Sequence, residues 1–418
     1  MLGQGIDIKD LNKHFYEKWM NTSSDFPELG VEITYIEKKK AEEDTDRGID
    51  KIMDLIGRFP KEEIHKRAWK TRVKGAVKEF ALREYSAYEK SELEPYIAHF
   101  FSVMEDFSRE SREFDNKLSY LEIWQGMRNV WAMVLLQIMF KKEIGLTQSI
   151  LSYSLLYPYT DNYLDNKELS PKDKKNFNNL IKKKLKGEEV EPLDYTSEKV
   201  VQLISKIENQ FNREEYKEVY KSLILIQEAQ EKSLSQHGNK SSLYEKELLE
   251  VSIEKGGASV LADGYLVSGE LSIEEIYFLF SFGVSLQIAD DIQDIREDIK
   301  NNHNTLATKI AYRWDLDNLA CNLLNFTLEG LKDLEKVNKD KNEVLERFII
   351  KKSMNFIYFA IAKNKKLYSN EFIIDFEKYL PYTLKYIEKL NKNLNKKLKK
   401  VKRKLGNERF KEAIEYLF

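Results

Sequence analysis

An all-α helical bundle is the fold class this sequence predicts, and three observations predict it. Only seven prolines occur in 418 residues, and the chain between them reads mostly with helical period. The runs Val130–Phe140 and Ile276–Ala289 are too continuously apolar for surface helices and read as helices buried on most sides. No Asn-Gly or Asp-Gly turn separates alternating apolar runs, so hairpins lack support, and Asp263-Gly264 sits inside a helical pattern.

Composition bounds the class. Hydrophobic residues make up 42% and aromatic residues 12%, as in a globular chain. The net charge of −2 gives no reason to expect nucleic acid as a partner, and 33% charged residues suit a helical surface of mixed sign. The length allows two or three domains, or one large α-domain with an extension. The expected division is a helical N-terminal extension over 1–100, packed on the core, a bundle over 101–370, and a basic amphipathic helix over 371–418.

Taken in order, residues 1–120 carry no motif. The N-terminus lacks a basic start followed by an apolar run, so no signal peptide is expected. Leu121–Phe140 reads as a buried helix with Arg128 inside it. Leu151–Thr160 is apolar and aromatic and leads into Asp161-Asn162-Tyr163-Leu164-Asp165. Ser170-Pro171 reads as an N-cap followed by proline at the first helical position. The polar stretch Lys182–Leu193 reads as a surface loop. At Gly256-Gly257 a double glycine interrupts a helical pattern, costing about 1 kcal/mol per glycine relative to alanine. Ser272 and Glu275 form a reciprocal cap before the second buried run. That run ends in Asp290-Asp291-Ile292-Gln293-Asp294-Ile295-Arg296-Glu297-Asp298.

The C-terminal segment differs. Leu380, Leu384, Ile387, Leu390, Leu394, Leu398, Val401 and Leu405 recur at helical spacing, and nine basic residues with no acid occur between Lys389 and Lys404. The plain reading is a helix packed by its leucine seam with solvated lysines. A weak membrane-surface contact through 389–404 is the sharper one. No stretch is long and apolar enough to span a bilayer. Cys321 is the only cysteine, which excludes an internal disulfide and a thiolate zinc site. His14, His65, His99, His237 and His303 lack metal-ligand spacing. A reducing, cytoplasmic setting is the default expectation.

The two aspartate clusters carry the chemistry. Gln287, Asp291, Asp294 and Asp298 fall within about 60° on a helical wheel, with Asp290 on the flank. Acids at that spacing repel, and a divalent cation reverses the sign. Mg²⁺ takes oxygen ligands and keeps room for substrate phosphate. Asp161 and Asp165 lie one turn apart on a continuing helix. Alone, such a pair is a common feature of solvated helix ends. Its weight comes from the matching cluster and the matching aromatic context.

From Leu121 to Leu306 these residues resemble the class I isoprenoid synthases: prenyltransferases, squalene and phytoene synthases, and terpene cyclases. The resemblance implies an isoprenoid synthase-type bundle with a central pocket. It implies three Mg²⁺ ions bound between the two motifs, and a prenyl diphosphate substrate. It implies metal ligation by Asp161, Asp165, Asp290, Asp291, Asp294 and Asp298. Lys255, at the position of a family lysine, and Arg128 would contact the diphosphate. The pocket would include Trp131, Tyr157, Gly256, Gly257, Tyr265, Phe282 and Gln287, with the double glycine marking a broken helix. A homodimer is common in the family. No Arg-Arg pair follows Asp165, and no arginine sensor matches around Ser241–Lys246. The departures favour a terpene synthase that cyclises one prenyl diphosphate, closest to bacterial single-domain enzymes. The alternative is a prenyltransferase or head-to-head synthase joining two substrates. A non-catalytic helical interaction protein of the same fold ranks last.

Overall fold

The computed structural model describes residues 7–417 apart from 167, 237–243 and 339–340. The side chain of Asp165, His237, and 241–243 of the stretch searched for an arginine sensor lie outside the described residues. In chain order the helices are α1 (Ile8–Asn21), α2 (Tyr35–Ile56), α3 (Glu63–Leu82), α4 (Ala87–Phe114), α5 (Tyr120–Met139), α6 (Gln148–Asp165) and α7 (Pro171–Leu185). Next come α8 (Tyr195–Gln210), α9 (Lys217–Ser233), α10 (Glu245–Ser268), α11 (Ile273–Gln293), α12 (Ile295–Asn301) and α13 (Leu306–Ala311). The last are α14 (Asp317–Leu331), α15 (Leu334–Val337), α16 (Glu343–Lys363), α17 (Asn370–Glu377), α18 (Leu384–Leu405) and α19 (Asn407–Leu417). Among the described residues no strand occurs, so the fold is all-α. None of these helices is long and apolar enough to cross a membrane.

Two compact units share the chain, and both are discontinuous. The first takes 1–25, 102–314 and 318–342; the second takes 26–101, 315–317 and 343–418. The contacts therefore draw lines other than the expected boundaries after 100 and 370. Residues 7–25 belong with the bundle because α1 supplies core aromatics to it. Phe15 stacks on Phe280 with ring centroids 5.0 Å apart, and Trp19 packs against Phe326 at 5.3 Å. The Asn322 amide of α14 donates to the Trp19 and Thr22 carbonyls, satisfying the C-terminal end of α1.

In the first unit α10 is the central helix, with α1, α5, α6, α9, α11 and α13 around it. Its apolar residues cover nearly its whole circumference, as a helix enclosed by others requires. The Ser149 hydroxyl at the start of α6 donates to the Leu266 carbonyl of α10 at 2.8 Å. Both expected caps form, at Ser170 with Asp173 and at Ser272 with Glu275. The expected loop over Lys182–Leu193 starts later, because α7 continues to Leu185. Lys182 pairs there with Glu231 of α9, and Lys184 pairs with Glu208 of α8 at 2.9 Å.

The second unit has its own core, where Ile56 and Phe59 meet Trp69 and Val73 of α3, Val401 of α18 and Ala413 of α19. The Trp69 indole N–H donates to the Leu55 carbonyl at 2.6 Å. Helix α18 packs its apolar side on this unit, burying Leu384, Ile387 and Val401. It ends at Gly406, whose φ of +81° suits the residue after a helix.

Candidate functional site

The expected break at Gly256-Gly257 does not occur: α10 runs unbroken from Glu245 to Ser268. The glycines serve a close approach between α10 and α11 instead. A Cβ on Gly256 would stand 2.4 Å from the Gly283 carbonyl oxygen, and one on Gly283 would stand 2.1 Å from the Gly256 oxygen. A Cβ on Gly257 would meet the Phe280 ring at 2.3 Å. Backbone touches backbone, so this seam fixes where α10 places Lys255 relative to the end of α11.

That end carries the second acidic cluster. Asp291 is buried and accepts hydrogen bonds from the Ser252 hydroxyl of α10 at 2.7 Å and the Gln287 amide at 2.8 Å. Burial pushes its carboxyl up, and these two donors pull it back. Gln287, expected to line the pocket, thus holds Asp291. Asp290 is exposed beside it. Its carboxyl is pushed up to about 6, first by reduced hydration and then by Asp291 and Asp294, with Lys255 opposing and Asp298 adding. For a group this open to solvent, the crowding of like charges is the cause that bears on ligand binding. Lys255, half-buried on α10, favours the charged forms of both Asp290 and Asp291.

The expected continuous helix through Asp298 is interrupted at Asp294, which ends α11 and precedes α12 with φ −101° and ψ 7°. The Asp294 N–H still donates to the Asp290 carbonyl and the Asp298 N–H to the Asp294 carbonyl, both at 2.9 Å, so helical spacing persists across the step. Asp298 lies 3.0 Å from His303 Nδ1. Sequence reading left His303 without a role; its position five residues after Asp298, beyond a short helix, was the available signal.

The first cluster ends α6, which runs through Pro158 to Asp165. Asp161 is half-buried and accepts from the Gln125 amide of α5 at 3.0 Å. Asn166 accepts from the Glu168 N–H at 2.9 Å, closing the following turn. One turn before Asp161, Tyr157 lies beside Ser259 of α10 and Tyr153, which both ease ionisation of its phenol against the burial that opposes it. The two tyrosine rings meet edge to face with centroids 5.5 Å apart. Lys255, Ser259 and Asp263, spaced by four residues, make a row along α10. This row runs from the second cluster to the tyrosines below the first.

Asp263 is the residue that sequence reading missed. It is buried, with the Asn129 amide of α5 easing its charge, and among the described residues its Oδ1 has no hydrogen-bond partner. Burial pushes its carboxyl up to about 8. A lone acid inside the apolar run Val260-Leu261-Ala262-Asp263-Gly264-Tyr265 was the available signal, by the reasoning that singled out Asp290. Beside the tyrosines a small cavity of about 40 Å³ opens, lined by Tyr153, Leu156, Tyr157 and Thr160 of α6 with Ile181, Ile204 and Ile226 opposite.

The other expected pocket residues are placed differently. Arg128 and Trp131 lie on the exposed face of α5. Trp131 packs edge-on against Trp124 at 5.4 Å. Tyr265 is enclosed in the core, and Phe282 is half-buried and stacks on Phe278 at 6.0 Å. Among the described residues no group of three or more His, Cys, Asp or Glu side chains converges into a metal-binding cluster. The donor set still suits a hard cation: the cluster groups are carboxylates, and the crowding around Asp290 is what a divalent ion relieves.

No protein-family model matches the chain, and no curated protein matches it. Solved structures do. A decaprenyl diphosphate synthase from Rhodobacter capsulatus matches over 74% of this chain and 98% of its own, at 10% identity and a TM-score of 0.29. A geranylgeranyl pyrophosphate synthetase from Pyrococcus horikoshii Ot3 matches over 84% of this chain and 97% of its own, at 14% identity and a TM-score of 0.30. Likenesses at these scores carry no conclusion about chemistry.

Proposed function

We propose that this chain ionises an allylic prenyl diphosphate and cyclises or rearranges the resulting cation, as a class I terpene synthase does. The observation that carries the reading is the crowding of Asp290 by Asp291, Asp294 and Asp298, with Lys255 as a counter-charge. Carboxylates so arranged favour a cationic ligand. Mg²⁺, held by Asp161, Asp165, Asp290 and Asp294, would supply Lewis acidity and neutralise charge on the leaving group.

The chain's own groups do the rest. Lys255 attracts the diphosphate and stabilises the charge that develops on it. Asp291, tied to Ser252 and Gln287, holds the end of α11 against α10. The apolar side chains around Tyr157 would keep water from the reacting cation. The faces of Tyr153 and Tyr157 can stabilise a cation there. No side-chain nucleophile is needed.

The test is incubation of the purified chain with Mg²⁺ and prenyl diphosphates of increasing length, reading diphosphate release and products by mass spectrometry. A cyclic hydrocarbon from one substrate is the expected result. Asp290→Asn should reduce turnover about 100-fold or more while the protein stays folded, the size typical of losing one preorganised charge contact. A lengthened or dimeric chain would assign the site to condensation, and absence of diphosphate release with every substrate would overturn the reading.

A further inference from the structure

Helix α18 gathers basic residues on its outer face. Lys385, Lys389, Lys392, Lys396, Lys399 and Arg403 are all exposed. At 100° per residue they fall within an arc of about 80°, and at 1.5 Å per residue the row is about 27 Å long. Its centre lies opposite Leu384, Ile387 and Val401, which are buried against the second unit. Lys400, Lys402 and Lys404 are exposed on the flanks. Lys397, off the row, pairs with Asp50 at 2.6 Å. Among the described residues the six side chains of the row make no ion pair.

Several lysines elsewhere are paired with acids. Lys66 pairs with Glu412, Lys184 with Glu208 and Lys232 with Glu254. Cations on successive helical turns repel one another, so an unpaired row destabilises its own helix. The helix dipole favours cations in the last turn, which accounts for Lys402, Arg403 and Lys404 but not for the turns from Lys385 to Lys399. Solubility does not require the row either, because the apolar side of α18 is already covered.

We propose that the outer face of α18 docks the protein on an anionic lipid bilayer. A straight row of point charges matches a plane of anionic headgroups, and four to eight basic residues on an amphipathic helix suffice for such binding. The contact is peripheral, since the apolar side of the helix is not free to insert. A nucleic acid fits less well. No aromatic side chain stands in the row for bases to stack on, and five of its six cations are lysine rather than the arginine suited to bidentate phosphate contacts. The surface is independent of the proposed chemistry in the first unit.

The test is co-sedimentation of the full-length chain with phosphatidylcholine vesicles, with and without phosphatidylserine, at low and high salt. Binding is expected only with phosphatidylserine and should fade at high salt. The quadruple variant Lys385→Gln, Lys389→Gln, Lys392→Gln, Lys396→Gln should lose about fivefold in affinity per lysine, several-hundred-fold in all. The corresponding four Lys→Arg changes should bind like the parent, which separates charge from any loss of fold. Failure of the parent to bind phosphatidylserine vesicles at low salt would overturn the proposal. So would a glutamine variant that binds unchanged, or tighter binding of a mixed-sequence DNA or RNA than of the vesicles in the same buffer.

Discussion

Two glycine seams, one in each unit, show what a missing side chain can do. Between α10 and α11, Gly256 and Gly283 face each other's backbone, and a Cβ on either would stand within 2.4 Å of a carbonyl oxygen. Between α2 and α3, Gly48 faces the Phe80 ring, which a Cβ would meet at 2.3 Å. The added methyl would be about equally close in the two cases, but the neighbours differ. A carbonyl inside a packed helix cannot step aside, whereas a half-buried ring can turn. Rigidity therefore belongs to the seam that positions Lys255 and the acids of α11, and adaptability to the seam between α2 and α3.

The largest effect that would break this contrast lies at Gly283. Gly283→Ala should cost about 3 kcal/mol in thermal or denaturant unfolding, the upper end for overpacking, and should weaken diphosphate release with it. A cost under about 1 kcal/mol would mean that α10 and α11 separate easily.

The next largest concerns the charge α10 carries along its row. The Asp263 carboxyl titrates near 8 in the folded chain against an ordinary value of 3.8. Its folded pKa is raised, so the stabilisation is complete below pH 3.8 and is lost as pH climbs toward 8. Asp263→Asn should flatten that part of the stability profile. Above pH 8 the variant should be more stable than the parent, by about 1–3 kcal/mol, and unfolding monitored by circular dichroism across pH reads this directly. Equal slopes in the two proteins would sink the assignment of a neutral buried acid.

The smallest effect sharpens the other side of the comparison. Gly48→Ala should cost about 1 kcal/mol, as the Phe80 ring turns to admit the methyl. A loss as large as at Gly283 would erase the distinction between the seams.

How much of this was legible in the sequence follows from which signals are local. Helix ends with reciprocal caps, such as Ser272 with Glu275, depend on four residues and were read correctly. Acids ending apolar helices were also visible, since a charge in an apolar run is anomalous wherever it folds. The glycine pair was legible as an anomaly but not in its meaning, because a break and a close approach leave the same trace until the partner helix is known. Asp263 was overlooked because attention rested on clusters rather than on a single acid. Arg128 and Trp131 lie on the exposed face of α5, and an apolar helix does not announce which narrow face stays outside. The division into units was illegible for the same reason: it rests on pairings such as Phe15 with Phe280, more than 250 residues apart.

Those distant pairings have a consequence for how the protein is made. During synthesis α1 emerges long before Phe280, Phe326 and Asn322, which receive it. The second unit likewise waits for 343–418 to complete what 26–101 begin. Neither unit can close behind the ribosome as a finished N-terminal piece. Long loops add little to the equilibrium cost of closure, but contacts of such long range slow folding and leave apolar faces uncovered meanwhile. Nascent chains of this protein should accordingly be clients of chaperones until the last helices are released.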